Sequence, residues 1–294
     1  MRDCGALRVC PGLRCLRRIS ENMVDGINLR LKTKVNPDVL RSTEIGGSPA
    51  NAIADIAMRS LRRPFAPAYL EGRAMLEYAA LVKSDIFARP QQIDRRITDK
   101  YCVVIIPGLY AGDGAVSVLR RWVGRLGFET RETGIRSNID YTLPTLKRIK
   151  SIVNDVKDNG KEGVVLIGHS RGGMLARIIG EELGDSVSKV ICMGSPQHER
   201  FALPALTLGA AALAYGLSCI RRGNMMEDEM RLFSALEKMP KQHTVSIYSR
   251  TDGVVDWRSC IGEGMECIEV NGSHLGMVVN KGVYEIIYRH LNIM

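Results

Sequence analysis

Beyond residue 100 the chain alternates short apolar runs with longer stretches whose apolar residues recur at every third or fourth position. The short runs are Val103 to Ile106, Val164 to Ile167, Lys189 to Met193, Thr244 to Tyr248 and Cys267 to Val270, with a further one from Phe128 to Thr133. Runs of this length, bounded by glycine and polar residues, predict strands buried on both faces. The longer stretches predict helices from Ala115 to Leu126, Gly172 to Leu183 and Gly282 to His290. Another carries Leu146, Ile149, Ile152, Val153 and Val156 on one face, with Gly160 as its left-handed C-cap. Strand and helix in alternation specify an α/β fold: a doubly wound, mostly parallel six-stranded sheet covered by helices. In such a sheet, ligand chemistry belongs at the carboxyl ends of the strands.

The first ninety-nine residues lack this alternation. Ala50 to Leu61 and Ala68 to Phe87 have helix-like spacing, and Pro64, Pro67 and Pro90 punctuate them. We read 1–99 as a basic N-terminal arm, partly disordered and then helical. The domain that follows, 100–294, carries a helical cap inserted at about 198–240. Lys and Arg exceed Asp and Glu, giving a net charge of +9, with clusters around Arg14, Arg17 and Arg18, at Arg62 and Arg63, and at Arg95 and Arg96. Such clusters suit an anionic membrane surface or solvent. Aromatics make up 5% of the chain and do not interleave with the basic runs, so no nucleic-acid partner is expected.

The cysteines form no metal pattern, since Cys4, Cys10 and Cys15 are irregularly spaced and no CxxC pair accompanies them. No metal or organic cofactor is expected. Cys102 and Cys192 fall inside strands and read as small buried hydrophobes of a reducing compartment, while a Cys260–Cys267 bridge stays open. Arginines interrupt the N-terminal apolar residues, which argues against a secretory signal and for a cytoplasmic protein; the same Arg-rich character would suit a mitochondrial transit peptide.

Candidate chemistry centres on GHSRG, Gly168 to Gly172, which fits G-x-S-x-G. The motif directly follows one predicted strand and opens one predicted helix, the context in which such a serine is raised above a sheet on a sharp turn. A serine hydroxyl needs a base, usually a histidine oriented by a carboxylate. Of five histidines, His169 is beside the serine, His198 and His243 flank other strands and His290 is in the last helix; His274 alone lies just after the final strand. The acid should follow the preceding strand, where Asp252 is favoured over the alternative Asp256 because it is nearer the strand end and enters a tight turn. Two backbone N–H groups would form an oxyanion hole: Arg171, after the serine, and Leu109 in PGLYAGDG, with Tyr110 as the fallback.

VVIIPGLYAGDG, VVLIGHSRGG, YSRTDGVVDW and NGSHLGM, in this order from Tyr101 to Met294, resemble the α/β-hydrolase superfamily, and in particular its compact bacterial lipase and esterase branch. The resemblance implies a serine hydrolase acting on a small-molecule ester or lipid, with an apolar acyl chain, through an acyl-enzyme on Ser170, His274 and Asp252. An acyltransferase or thioesterase using the same residues is the alternative, and a catalytically silent membrane-surface protein is the non-enzymatic one. Two departures stand out: Pro107 replaces the histidine that many lipases carry before the oxyanion glycine, and the helical arm has no counterpart. The near-uncharged run FALPALTLGAAALAYGLSCIRRG falls where the superfamily inserts a cap, and MEDEMRLFSALEKMP would supply the second cap helix. We read the run as a buried cap over the acyl pocket, with membrane-surface docking as the alternative. A membrane span is disfavoured because it would separate Ser170 from Asp252 and His274.

Overall fold

The computed structural model describes residues 66–138, 142–197, 236 and 239–294. The expected helix from Ala50 to Leu61 and almost all of the expected cap lie outside these residues. Among those described, six strands form one sheet: β1 (Tyr101–Ile106), β2 (Glu129–Arg131), β3 (Gly163–His169), β4 (Val187–Met193), β5 (His243–Tyr248) and β6 (Glu266–Glu269). Their order is β2-β1-β3-β4-β5-β6, and every pairing is parallel. The register aligns the carboxyl ends, pairing Ile106 with Gly168, His169 with Met193, and Met193 with Ile247. Four loops therefore leave the sheet side by side.

The four inner strands are mostly apolar because both their faces are covered, whereas the edge strands β2 and β6, expected to be buried on both faces, carry exposed Arg131, Glu266 and Glu269. Val103, Ile105, Val165, Ile167, Ile191, Met193, Val245 and Ile247 point to one side, into a core shared with α4 (Ser117–Arg125) and α7 (Lys281–Asn292). Cys102, Val104, Ile106, Val164, Leu166, Val190 and Cys192 point to the other, against α5 (Thr142–Asp158) and α6 (Arg171–Leu183). This alternation is the period-2 geometry of a strand in a three-layer sandwich. Gly160 has φ 88°, in keeping with its role as a left-handed helix stop.

Ahead of the sheet come a 3₁₀ turn (Ala68–Arg73), α1 (Ala74–Val82), α2 (Asp85–Ala88) and α3 (Arg95–Thr98), all within the same compact unit as the sheet. The helix-like spacing of Ala68 to Phe87 is met by three short helical elements, with a break after Val82. Ser84 is extended at φ −82°, ψ 147°, and its hydroxyl donates to the Leu81 carbonyl that a continuing helix would use. This lets α2 turn onto the first core: the Trp122 indole N–H donates to Ile86 O at 2.7 Å, and the Trp122 and Tyr284 rings lie 4.5 Å apart. Cys260 and Cys267 are both free thiols, which removes the bridge that the sequence left open. No helix among the described residues is long and apolar enough to cross a membrane.

Trp122 is fully buried and joins three elements. Trp122→Ala should therefore lower the unfolding free energy by about 3–5 kcal/mol in denaturant titration. Trp122→Phe, which keeps ring contact but orphans the Ile86 carbonyl, should cost about 1–3 kcal/mol.

Candidate active site

Ser170 sits between the last residue of β3 and the first of α6 at φ 53°, ψ −123°, a backbone conformation that L-residues avoid. Holding it there costs about 1–3 kcal/mol. Its N–H donates to Met193 O at 2.8 Å, and its carbonyl accepts from Gly173 N–H at 3.0 Å. The two motif glycines permit the turn by close approach. A Cβ on Gly168 would strike the Gly172 backbone, and one on Gly172 would strike the carbonyls of Ile106 and Pro107. Arg171 opens α6 as a buried residue.

The loop after β1 lies against this turn. A Cβ on Gly108 would stand 3.2 Å from Ser170 Cβ and 3.0 Å from His169 Nδ1, so the backbone leading into Leu109 borders the serine. Asn138, buried and remote in sequence, pins that loop. Its side-chain amide donates to Pro107 O at 2.7 Å, its N–H donates to Ala111 O at 2.8 Å, and it forms a β-bridge with Leu109. Asp113 secures the other side, accepting from the Thr133 hydroxyl at 2.6 Å and from Gly134 N–H at 2.8 Å. The sequence pattern did not single out Asn138, because an asparagine in an irregular segment looks like any loop residue until the tertiary fold buries it. Tyr110, the fallback donor, is half exposed and has φ 62°.

Beyond β5, Asp252 and His274 are both buried, and His274 Nδ1–H donates to Asp252 Oδ2 at 2.7 Å. The other carboxylate oxygen accepts from Val254 N–H at 2.8 Å and Val255 N–H at 2.7 Å, fixing its orientation. Asp256 has a different position. It caps the 3₁₀ turn Trp257–Cys260, accepting from Arg258 N–H at 3.1 Å and from the Arg258 guanidinium at 3.2 Å. Gly194 links the pair to the serine turn: it follows Met193, the acceptor of Ser170 N–H. A Cβ on it would sit 3.1 Å from His274 Nδ1 and 3.2 Å from Asp252 Oδ2.

Burial works against a charged His274 ring, but the Asp252 carboxylate, its hydrogen bond and the charge of Glu71 outweigh burial and raise the pKa above the ordinary value. His169 shows the opposite balance. Burial and repulsion from His274 push it down to about 3, so it is neutral, and its Nε2–H donates to His274 O at 2.9 Å. The two rings lie 4.8 Å apart. His243 and His290 instead sit by Glu266 at 3.4 and 3.5 Å, away from this group, and His198 lies outside the described residues. No group of three or more His, Cys, Asp or Glu among the described residues is arranged to hold a metal. A cleft of about 550 Å³ lined by Glu77, Val270, Asn271, Asn280, Lys281 and Glu285 includes none of Ser170, Asp252 and His274.

Residues 133–208 match the profile of the PGAP1-like alpha/beta domain family. No curated protein matches the chain. Among solved structures, the work on the metagenome-derived lipolytic enzymes LipS and LipT supplies one that aligns over 66% of this chain and 93% of its own, with TM-score 0.50 and 14% identity. The chain has the α/β-hydrolase fold. A monoacylglycerol lipase from Paleococcus ferrophilus (15% identity, 69% of this chain and 96% of its own, TM-score 0.48) is also similar. So is a methylesterase from Arabidopsis (16% identity, 66% and 99%, TM-score 0.43). In the α/β-hydrolase fold of this chain, Ser170, Asp252 and His274 occupy the loops that leave the carboxyl ends of β3, β5 and β6.

Because the folded-state pKa of His274 is raised, its protonation stabilises the fold below the unfolded value of about 6.5, and this contribution is lost as pH rises through the raised folded pKa. Removing the carboxylate leaves burial dominant, so Asp252→Asn should move the His274 titration below about 6.5 in NMR. The stability difference between wild type and variant, measured by denaturation from pH 5 to 8, should narrow as pH rises.

Proposed function

We propose that the protein is a serine hydrolase that cleaves carboxylic esters through an acyl-enzyme. The observation that carries this reading is the buried 2.7 Å hydrogen bond from His274 to Asp252, placed beside the strained turn of Ser170. With Nδ1–H committed to Asp252, the Nε2 lone pair is free to take the serine proton. Ser170 Oγ attacks the ester carbonyl, His274 accepts its proton and then gives it to the leaving alkoxide, and Asp252 stabilises the imidazolium between these steps. The N–H groups of Leu109 and Arg171 hold the oxyanion. Water, activated by the same histidine, releases the acid. Pro107 does not disturb this arrangement, since the donor at Leu109 acts through its main chain. The near-uncharged composition of residues 201–220 supports an apolar acyl chain.

A fluorophosphonate probe should label the wild type and leave Ser170→Ala unlabelled. Ester turnover in Ser170→Ala and His274→Ala should fall by about 10⁴-fold or more. Labelling of Ser170→Ala at the same site would remove Ser170 from the nucleophile role, and an undiminished rate in His274→Ala would remove that residue as the base. A series of p-nitrophenyl esters should show kcat/KM rising from acetyl to medium acyl chains; a preference for acetyl would contradict the proposal of an apolar acyl chain.

A further inference from the structure

Both loops that carry the Asp252–His274 pair are gripped from outside the sheet by the helical segment that precedes it. Glu71, in the 3₁₀ turn Ala68–Arg73, accepts through Oε1 from Gly253 N–H at 2.9 Å and from His274 N–H at 3.0 Å. Its Oε2 accepts from Leu275 N–H at 2.8 Å. Gly253 is the neighbour of Asp252, so one carboxylate bonds the main chain of the acid loop and that of the histidine itself. Glu77, on α1, extends the grip: Oε1 accepts from Ser273 N–H at 2.8 Å and Oε2 from the Asn280 amide at 3.0 Å. Asn280 in turn caps α7. Three consecutive N–H groups of the histidine loop, at Ser273, His274 and Leu275, are thus committed to two carboxylates from one short segment.

We propose that Glu71 is a positioning residue: its carboxylate ties the Asp252 loop to the His274 loop and so keeps imidazole, carboxylate and Ser170 in register. This rests on the hydrolase reading above. The pair itself is joined by one side-chain hydrogen bond between two separate loops, and a misplacement of about 1 Å can cost on the order of 10²-fold in rate. A bridge through the main chain of both loops resists that displacement. The bridge also sets a negative charge near the ring. Among the described residues, the charged or titratable groups around His274 are Asp252 from the loop after β5, His169 from the end of β3, Glu71 from the 3₁₀ turn and, bonded to the neighbouring Ser273 N–H, Glu77 from α1. Of these, His169 is neutral, so Glu71 supports the imidazolium that Asp252 already stabilises.

The test is a comparison of Glu71→Ala and Glu71→Gln in the full chain. Glu71→Ala should lower kcat for a p-nitrophenyl ester by about 10–100-fold with KM changed by less than about two-fold, as expected for lost alignment. Glu71→Gln keeps one oxygen able to accept from Gly253 and His274 but loses the charge. It should retain more of kcat than Glu71→Ala and shift the acidic limb of the kcat/KM profile to lower pH. NMR titration of ¹³C-labelled histidine should show the same downward shift for His274, with or without turnover. Wild-type kcat in Glu71→Ala, or an unmoved His274 titration in Glu71→Gln, would overturn the proposal. If Glu71→Ala loses cooperative thermal unfolding, Glu71→Gln decides. Should the wild type neither turn over esters nor take the fluorophosphonate, the hydrolase reading falls, and the His274 titration still decides whether Glu71 acts on the ring.

Discussion

Ser170 is held in a conformation whose intrinsic cost is recovered only because its surroundings leave it no other, and much of the architecture serves that constraint. The turn forms because β3 ends and α6 begins within one residue, which brings Gly168 against Gly172 and Gly172 against the carbonyls that close β1. It is closed by the hydrogen bond from Ser170 to Met193, possible only because β4 ends in register with β3. The parallel register is thus the means by which a strained residue at one strand end finds its partner at the next. The two-sided apolar core keeps that register from slipping, since a shift of one residue would exchange every side chain between the helix layers.

The same alignment explains the electrostatics. Gly194 continues from Met193 directly against the Asp252–His274 pair, so the closure of the serine turn and the packing of the pair depend on consecutive residues. Two buried histidines stand side by side, and they carry opposite shifts because only one has a carboxylate partner. His169 donates its Nε2–H to a main-chain carbonyl and stays neutral; His274 has Asp252 and the more distant Glu71. A second charge on His169 would repel the imidazolium at His274. Its neutrality therefore favours the proton-accepting role assigned to its neighbour.

The strands, the helices over them and the serine turn were legible in the sequence because each is written locally. Strands buried on both faces must be continuous apolar runs, and the turn needs glycines at fixed offsets from the serine. Asp252 could be preferred over Asp256 from its distance to the strand end, and the structure gives Asp256 a separate task as the cap of Trp257–Cys260. The features that were not legible depended on local competitors or on distant partners. A helix from Ala68 to Phe87 satisfies the periodicity, yet one hydroxyl, that of Ser84, diverts the Leu81 carbonyl and ends it. Asn138 and Asp113 carry no local sign of their work, because their partners lie about twenty to thirty residues away, across a helix and a strand.

The segment before the sheet shows this limit most clearly. Read by composition it is a basic, proline-punctuated arm, and its acidic residues look like ordinary solvated carboxylates. The fold lays Glu71 and Glu77 along the histidine loop, where Ser273, His274 and Leu275 present N–H groups that would otherwise need water. Larger sheets can support such a loop with additional strands; here β6 is a short edge strand and cannot. A carboxylate is the fitting substitute, because it accepts several N–H bonds at once and its charge favours the protonated ring beside it. The physical need of an under-supported loop therefore accounts for the acidic side chains that this small sheet keeps at Glu71 and Glu77.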